Sequence, residues 1–303
     1  MKLSSLHILL TYQCNYECDH CFVWGSPSQS GVFTLSQLEE VFQQALLVPA
    51  IREFYFEGGE TFIYYPILVK AVRRAYVLGF KTGIVSNGYW ATTVDDALTW
   101  LRPLAEAGLD RIEVSYDAFH GSLDDPFETH PALLAARQLG LILDNVSLNP
   151  PQNGRNPDAS EPGEPVAGGD VMFRGRAAVM LTEGLPTRPW NSFTECPFED
   201  LTDPGRVHVD PFGNVHLCQG VVMGNVWERP LAQIIAEYNP VTHPIAGPLL
   251  HGGPAELVHR YHLPHQDGCV DACHLCYSAR ETLRVEFPQI LAPDQMYGVG
   301  LGS

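Results

Sequence analysis

Three thiols stand close together near the start of the chain, in Cys14-Asn15-Tyr16-Glu17-Cys18-Asp19-His20-Cys21. A set at these spacings can close disulfides, hold zinc or hold an iron-sulfur cluster. Structural zinc takes four tetrahedral ligands, and Cys-x3-Cys-x2-Cys supplies three. His20, the obvious fourth, lies between two of the thiols and would have difficulty reaching the same ion. Three thiolates can instead hold three irons of a four-iron cluster and leave the fourth open to a ligand. On the triad alone, zinc and cluster both stay open.

The other five cysteines, Cys196, Cys218, Cys269, Cys273 and Cys276, all fall in the last third, with none between residues 22 and 195. Two separate thiol sites are the natural inference. Eight cysteines in 303 residues are too sparse for a disulfide scaffold, which runs above about 8% in short secreted chains, and the usage suits metal binding in a reducing compartment. Residues 1 to 20 lack a signal-peptide layout, and no apolar run approaches the roughly 20 residues of a membrane span. A net charge of −17, from 35 acidic and 18 basic side chains, argues against nucleic acid or an anionic membrane as partner. These features predict a cytoplasmic protein.

The elements that must position the thiols read as alternating strands and helices. Leu6–Thr11 forms a largely buried strand, with the triad in the loop after it. Thr34 opens a helix, Gln37 completing a capping box. Then follow a strand at 54–56 ending in Glu57-Gly58-Gly59-Glu60-Thr61, a helix at 66–78, a strand at 82–86 ending in Asn87-Gly88, a helix at 94–107, a strand at 111–116 ending in Asp117, a helix at 131–139 and a strand at 141–148. The alternation predicts an α/β fold with a parallel sheet and right-handed crossovers. The polar and glycine signatures sit at the carboxyl ends of strands, where such folds keep their sites. Residues 149–170, rich in Pro, Gly, Asn and Glu, break the rhythm; a further strand at Val171–Phe173 would make about six. From about residue 186 hairpins and loops take over, with Arg206–Asp210 and Asn214–Cys218 flanking a Pro211-Phe212-Gly213 turn. A helix at 230–238 and a His-rich Pro/Gly loop lead to Cys269-x3-Cys273-x2-Cys276, and residues 293–303 read as a flexible tail.

The triad CNYECDHC together with Gly58-Gly59-Glu60 after the second strand resembles the radical S-adenosylmethionine (radical SAM) enzymes, over residues 5 to about 180. The resemblance implies a partial (β/α)6 TIM-like barrel over 1–185. It implies a [4Fe-4S] cluster on Cys14, Cys18 and Cys21, whose open iron is chelated by the methionine part of S-adenosylmethionine. Reductive cleavage of that cofactor then yields a 5′-deoxyadenosyl radical that abstracts a hydrogen atom. Gly58, Gly59 and Glu60 would hold the methionyl ammonium, with Thr61 standing where many members have proline. Ser86, Asn87, Ser115 and Asp117 would face the cofactor or substrate, and His120 the substrate. Arg174 and Arg176 resemble a Gly-Arg-Ala element of some members. Each of these also has an ordinary structural reading, as a turn, a helix cap or a surface histidine.

Cys196, Gly213, Cys218 and Cys273-x2-Cys276 resemble the SPASM or twitch extension, which implies a small C-terminal hairpin-and-loop iron-sulfur domain over 186–292. One auxiliary cluster, [4Fe-4S] in type, would rest on Cys196, Cys218, Cys273 and Cys276. Cys269 would be a substitute ligand, an inert thiol or a hydrogen-atom donor. A zinc ribbon is the structural alternative. The expected function is hydrogen abstraction from a peptide or small-molecule substrate, with oxidation, cross-linking or epimerisation as outcomes. The reductant would be a flavodoxin or ferredoxin. A barrel beginning so near Met1 leaves no room for an N-terminal leader-binding domain, which weighs against a peptide. A non-catalytic electron carrier or cluster scaffold is the reading from another class.

Overall fold

The structure, a computed structural model, describes residues 2–121, 125–151 and 170–300. Its elements are β1 Ser5–Thr11, α1 Leu35–Leu46, β2 Glu53–Gly58, α2 Tyr65–Val77, β3 Lys81–Ser86, α3 Val94–Ala107, β4 Arg111–Ser115, α4 Pro131–Leu139, β5 Ile142–Val146 and α5 Ala177–Met180. Then come β6 Arg188–Pro189, β7 Arg206–Val209, β8 Asn214–Cys218, β9 Val221–Asn225, α6 Leu231–Glu237, α7 Ala246–Tyr261, β10 Gly268–Cys269 and α8 Ala272–Leu283. Local chemistry sets several ends. The Gln37 amide donates to Thr34 Oγ1 at 3.3 Å, and the Thr34 amide donates back to Gln37 Oε1 at 2.9 Å, completing the capping box of α1. Gly108 and Gly140 stop α3 and α4 in the left-handed region.

One eight-stranded sheet runs in the order β5-β4-β3-β2-β1-β7-β8-β9. Strands β1 to β5 are parallel, β7 is parallel to β1, and β8 and β9 return antiparallel. This is the expected α/β, mostly parallel architecture, with one correction: Val171–Phe173 forms no strand. The sixth parallel position is taken by β7, on the other side of β1. Residues 171–173 are committed elsewhere. Val171 and Phe173 pack with Ala177, Leu185 and Val270 in a small separate cluster, and the Phe173 amide donates to Asp271 Oδ2 at 3.3 Å.

The hairpin therefore extends the barrel sheet, and side chains from both sides of residue 185 share one core. Most of the Pro/Gly-rich stretch, residues 152–169, lies outside the described residues, as do 301–303. Within the expected tail, Met296 and Tyr297 are buried, and Tyr297 Oη donates to the Gly220 carbonyl at 2.8 Å. The first part of the His-rich segment, with His251 and His259, is helical instead of a loop. It forms α7, kinked at Gly252–Gly253, where Pro248 and Pro254 made the sequence read as irregular, while His262 and His265 follow it in a loop. No helix of the described residues is long and apolar enough to cross a membrane.

Strand alternation divides the sheet into two chemically different faces. Leu6, Ile8, Phe54, Phe56, Ile112 and Val114 join the helix-covered core. The residues between them put His7, Tyr55, Glu57, Glu113 and His208 on the inner face, where Tyr55 Oη donates to Glu113 Oε1 at 3.2 Å.

The carboxyl end of β2 closes on the start of the triad loop. The Gly59 amide donates to the Thr11 carbonyl at 2.7 Å and the Glu60 amide to the Gln13 carbonyl at 2.9 Å. A Cβ on Gly58, whose φ is +138°, would stand 2.3 Å from the Thr11 oxygen, and one on Gly59 would stand 2.1 Å from the Gln13 oxygen. Both contacts are backbone against backbone and cannot relax cheaply. Gly58→Ala or Gly59→Ala is therefore expected to cost at least about 2 kcal/mol in denaturant unfolding. Gly79→Ala, which also has positive φ but meets nothing within 4 Å, should cost only the roughly 1 kcal/mol of left-handed backbone.

Candidate functional site

The triad loop leaves β1 and is tied back to it by bridges Thr11–Val32 and Gln13–Ser26. The Cys14 amide donates to the Ser26 carbonyl and the Cys21 amide to the Cys18 carbonyl, each at 3.0 Å. Backbone amides also point at the sulfurs: Tyr16 N–H donates to Cys14 Sγ at 3.3 Å and Gly25 N–H to Cys21 Sγ at 3.2 Å. Such donors stabilise a thiolate, metal-bound or free. Without a metal, burial pushes the Cys14 thiol up to about 11 and the Cys18 thiol up to about 12, the neighbouring thiols adding to it. The loop thus gathers thiols that only a cation would ionise at neutral pH.

Arg176 holds this loop from behind. Its Nη1 donates to the Cys18 carbonyl and its Nη2 to the Gly25 carbonyl, both at 2.8 Å, while its amide donates to the Cys21 carbonyl at 3.0 Å. Gly175 permits the approach, since a Cβ there would lie 2.6 Å from the Cys21 oxygen. Of the two arginines between which the sequence left the choice open, Arg176 is the one that braces the loop.

Cys14, Cys18 and Cys21 line a cavity of about 470 Å³ together with Gly58, Gly59, Ser86, Asn87, Ser115, His120 and Arg174. Sequence reasoning missed Glu57 and Glu113, which also line it. The signal was present: both are charged residues on the inner face of otherwise apolar strands. Three expected residues support the cavity from outside. Glu60, buried, accepts from Ser86 Oγ at 2.9 Å, the Asn87 amide at 2.8 Å and the Phe62 amide at 2.9 Å, and so joins the ends of β2 and β3. Thr61 is buried beneath it. Asp117 accepts from the Phe119 amide at 2.9 Å, the Leu148 amide at 3.0 Å and His120 Nδ1 at 2.7 Å. Burial pushes the Asp117 carboxyl up, but these donors outweigh it and hold it below the usual range. Asp117 therefore orients His120, which lines the cavity. His20 packs against Phe119 at 4.4 Å between ring centroids, and burial lowers it to about 4.

The second thiol group lies in the C-terminal part of the chain. Cys196, Cys218, Cys273 and Cys276 line one small cavity, with Arg174 and Arg280 in its wall. Cys273 and Cys276 lie in the first turns of α8, capped by Asp271 Oδ1 accepting from the His274 amide at 2.7 Å; the amino end of a helix favours thiolates. Arg280 is 1% exposed and forms no carboxylate ion pair among the described residues. It donates to the Gln219 and Cys276 carbonyls. Arg174 Nη1 donates to Cys218 Sγ at 3.2 Å and to Glu199 Oε1 at 2.9 Å. Two buried guanidiniums facing four thiols suit a bound group whose net charge, counted with its thiolates, is negative. Cys269 stands apart, on β10, and lines a different pocket with His274 and Ser278.

Comparison with known proteins agrees with this geometry. Residues 8–133 match the Radical SAM superfamily, a span that takes in the triad and Gly58-Gly59. This stretch, residues 8–133, is the part of the chain that matches the superfamily. The chain is 23% identical over 120 residues to the putative peptide biosynthesis protein YydG of Bacillus subtilis (strain 168), covering 40% of this chain and 38% of that one. It is 30% identical over 113 residues to the tungsten-containing aldehyde ferredoxin oxidoreductase cofactor-modifying protein of Pyrococcus furiosus, covering 37% and 30%. It is 34% identical over 119 residues to the probable GTP 3′,8-cyclase of Methanothermobacter thermautotrophicus, covering 38% and 36%. The matches thus span about a third of these relatives' length. The fold is similar to the crystal structure of BtrN in complex with AdoMet and 2-DOIA, with a TM-score of 0.54 at 17% identity over 91% of this chain and 92% of that one.

Burial pushes the Glu60 carboxyl from 4.5 up to about 7, although the Asn87 and Phe62 amides and Ser86 pull the other way. The unfolded chain releases this proton near 4.5 and the folded chain near 7, so the folded state holds more protons in between. Its stability should fall as pH rises through that window and level off above it. Glu60→Gln should remove this slope, worth at most about 3 kcal/mol, as read by denaturant unfolding of the metal-free protein at pH 5 and pH 7.5.

Proposed function

We propose that the chain is an enzyme that binds a [4Fe-4S] cluster on Cys14, Cys18 and Cys21, cleaves S-adenosylmethionine and removes a hydrogen atom from a polar substrate. The substrate class is a peptide side chain or a small polar molecule. One observation carries this reading: three thiols and the Gly58-Gly59 backbone form one wall of the cavity whose floor is the polar inner face of the sheet. When bound, the cluster and S-adenosylmethionine would supply a carbon-centred radical at that wall.

The chain's own residues do the rest. Gly58 and Gly59 leave their backbone bare, so that a ligand can approach it closely. Asn87 Nδ2, 2.8 Å from Asn15 Oδ1 and 3.8 Å from Cys14 Sγ, ties the end of β3 to the triad loop. Ser86, Asn87 and Ser115 offer hydrogen bonds to the cofactor, and Glu57, Glu113, Arg174 and the Asp117-oriented His120 offer charge and hydrogen bonds to the substrate. The relative YydG bears the name of a peptide biosynthesis protein, which favours the peptide within this class.

Cys196, Cys218, Cys273 and Cys276 would hold one auxiliary [4Fe-4S] cluster in the C-terminal part, from about residue 186. Among the described residues no three of the cysteine sulfurs lie within 4.8 Å of one another, whereas thiolates sharing one tetrahedral zinc at 2.3 Å stand about 3.8 Å apart. The wider spacing supports a cluster over a zinc ribbon. Arg174 lines both cavities, so its charge would act both on a substrate in the first and on a group held by the thiols of the second; such a cluster would supply an electron acceptor for net oxidation. Electrons for cofactor cleavage would come from a flavodoxin- or ferredoxin-type reductant.

Anaerobically reconstituted, reduced protein should convert S-adenosylmethionine to 5′-deoxyadenosine, and Cys18→Ala should lower that rate at least about 1,000-fold. A protein that loads iron yet forms no 5′-deoxyadenosine would be an electron carrier or scaffold. In the variant lacking all three triad thiols, about four irons per chain should remain. Zinc in their place would refute the auxiliary cluster while leaving the first site untouched.

A further inference from the structure

Outside the two thiol groups, three side chains on adjacent strands converge. His7 on β1, Glu57 on β2 and His208 on β7 all project from the inner face, and the register sets His7 directly opposite His208 and Tyr55, with Glu57 two residues beyond Tyr55. His7 Nδ1 lies 3.0 Å and His208 Nε2 lies 2.9 Å from the same oxygen, Glu57 Oε1. The three atoms lie within 4.8 Å of one another.

We propose that His7, Glu57 and His208 form a binding site for a divalent first-row transition metal, open on its free side to the substrate cavity. The donor set, two imidazole nitrogens and one carboxylate oxygen, is one that zinc, iron(II) or cobalt(II) takes and that magnesium or calcium does not favour. The spacing fits as well, since ligand atoms held 2.0–2.1 Å from a tetrahedral ion stand about 3.3 Å apart. The rings are already oriented. His7 stacks on Tyr55, with centroids 4.9 Å apart and planes 11° from parallel, and His208 meets Phe22 edge-on at 6.2 Å.

Charge points the same way. Glu57 is a 14% exposed carboxylate whose only ion-pair partners among the described residues are these two imidazoles. Neutral imidazoles can each donate an N–H to it, but neither then compensates its charge. A dication would take the lone pairs of His7 Nδ1 and His208 Nε2, with each ring's single proton on its other nitrogen, so that both rings ligate as neutral imidazoles. Three protein ligands leave a position vacant in a tetrahedral sphere. Glu57 lines the 470 Å³ cavity and His7 lines a second cavity with Glu53, Glu199 and Arg206, so on the Glu57 side that position would accept water or a substrate oxygen or nitrogen. The site would thus anchor a polar substrate at the floor of the cavity, across from the thiol wall.

The test uses full-length protein with its clusters reconstituted, stripped of loosely bound metal and titrated with zinc. One zinc per chain should bind and raise the melting temperature, and X-ray absorption at the zinc edge should show nitrogen and oxygen neighbours without sulfur. Glu57→Gln and His208→Gln should each weaken zinc binding more than about 100-fold, beyond the loss typical of an outer-shell partner, while the iron content stays that of the wild type. Zinc bound through sulfur, no zinc bound, or equal binding by the variants would mean a hydrogen-bonded triad only and would overturn the proposal. Should the variants fail to fold, the coordination of zinc in the wild-type protein decides the question by itself. None of these outcomes depends on S-adenosylmethionine cleavage.

Discussion

Everything at the thiol wall depends on how closely the end of β2 approaches the start of the triad loop. Two backbone bonds, from Gly59 to Thr11 and from Glu60 to Gln13, need two consecutive residues without side chains. The same approach carries Glu60 inward, where its carboxylate collects the hydroxyl of Ser86 and the amides of Asn87 and Phe62. Three strand ends are thereby locked into one rim. The triad loop is held over the cavity by that rim on one side and by Arg176 on the other.

Arg174 and Arg176 show how a short segment can join two sites. Arg176 faces back into the triad loop. Arg174, two residues earlier, reaches Cys218 and Glu199 in the second thiol group. Buried guanidiniums are tolerated only with anionic or strongly accepting partners, so each arginine places a demand on the site it enters: carbonyl oxygens for Arg176, thiolates and a carboxylate for Arg174. The segment's backbone amides are committed elsewhere, Phe173 to Asp271 Oδ2, Arg174 to the Met172 carbonyl and Arg176 to the Cys21 carbonyl, which is the physical reason it does not become a strand. Its place beside the parallel strands is made good by β7, arriving from the C-terminal half on the far side of β1.

Much of this was legible in the sequence because it rests on local chemistry. The capping box at Thr34, the helices at 94–107 and 131–139 and the hairpin around Gly213 follow from periodicity and turn residues alone, and the structure places them where expected. The first triad and the Cys273–Cys276 pair are local too, since spacing within a loop or a helical turn is a local property, whereas Cys196 and Cys218 meet that pair only through the tertiary fold. What could not be read is what depends on distant partners. The pairing of β7 with β1 joins residues about 200 apart, and the sequence could not choose between Arg174 and Arg176 because nothing in their neighbourhood reveals the carbonyls of Cys18 and Gly25. Nor could the sequence show that Glu60 accepts from Ser86 and Asn87, or that Asp117 accepts from His120. Pro and Gly density made α7 look irregular, although Gly252 and Gly253 supply only its kink.

The central claim is that the triad holds a cluster whose open iron faces the 470 Å³ cavity. Electron paramagnetic resonance of the reduced, reconstituted protein tests it most directly, recorded before and after addition of S-adenosylmethionine. The account predicts a [4Fe-4S]⁺ signal whose g values shift when S-adenosylmethionine is added, and loss of that shifting signal in Cys21→Ala. A spectrum unchanged by S-adenosylmethionine, or a shift that survives Cys21→Ala, would contradict it.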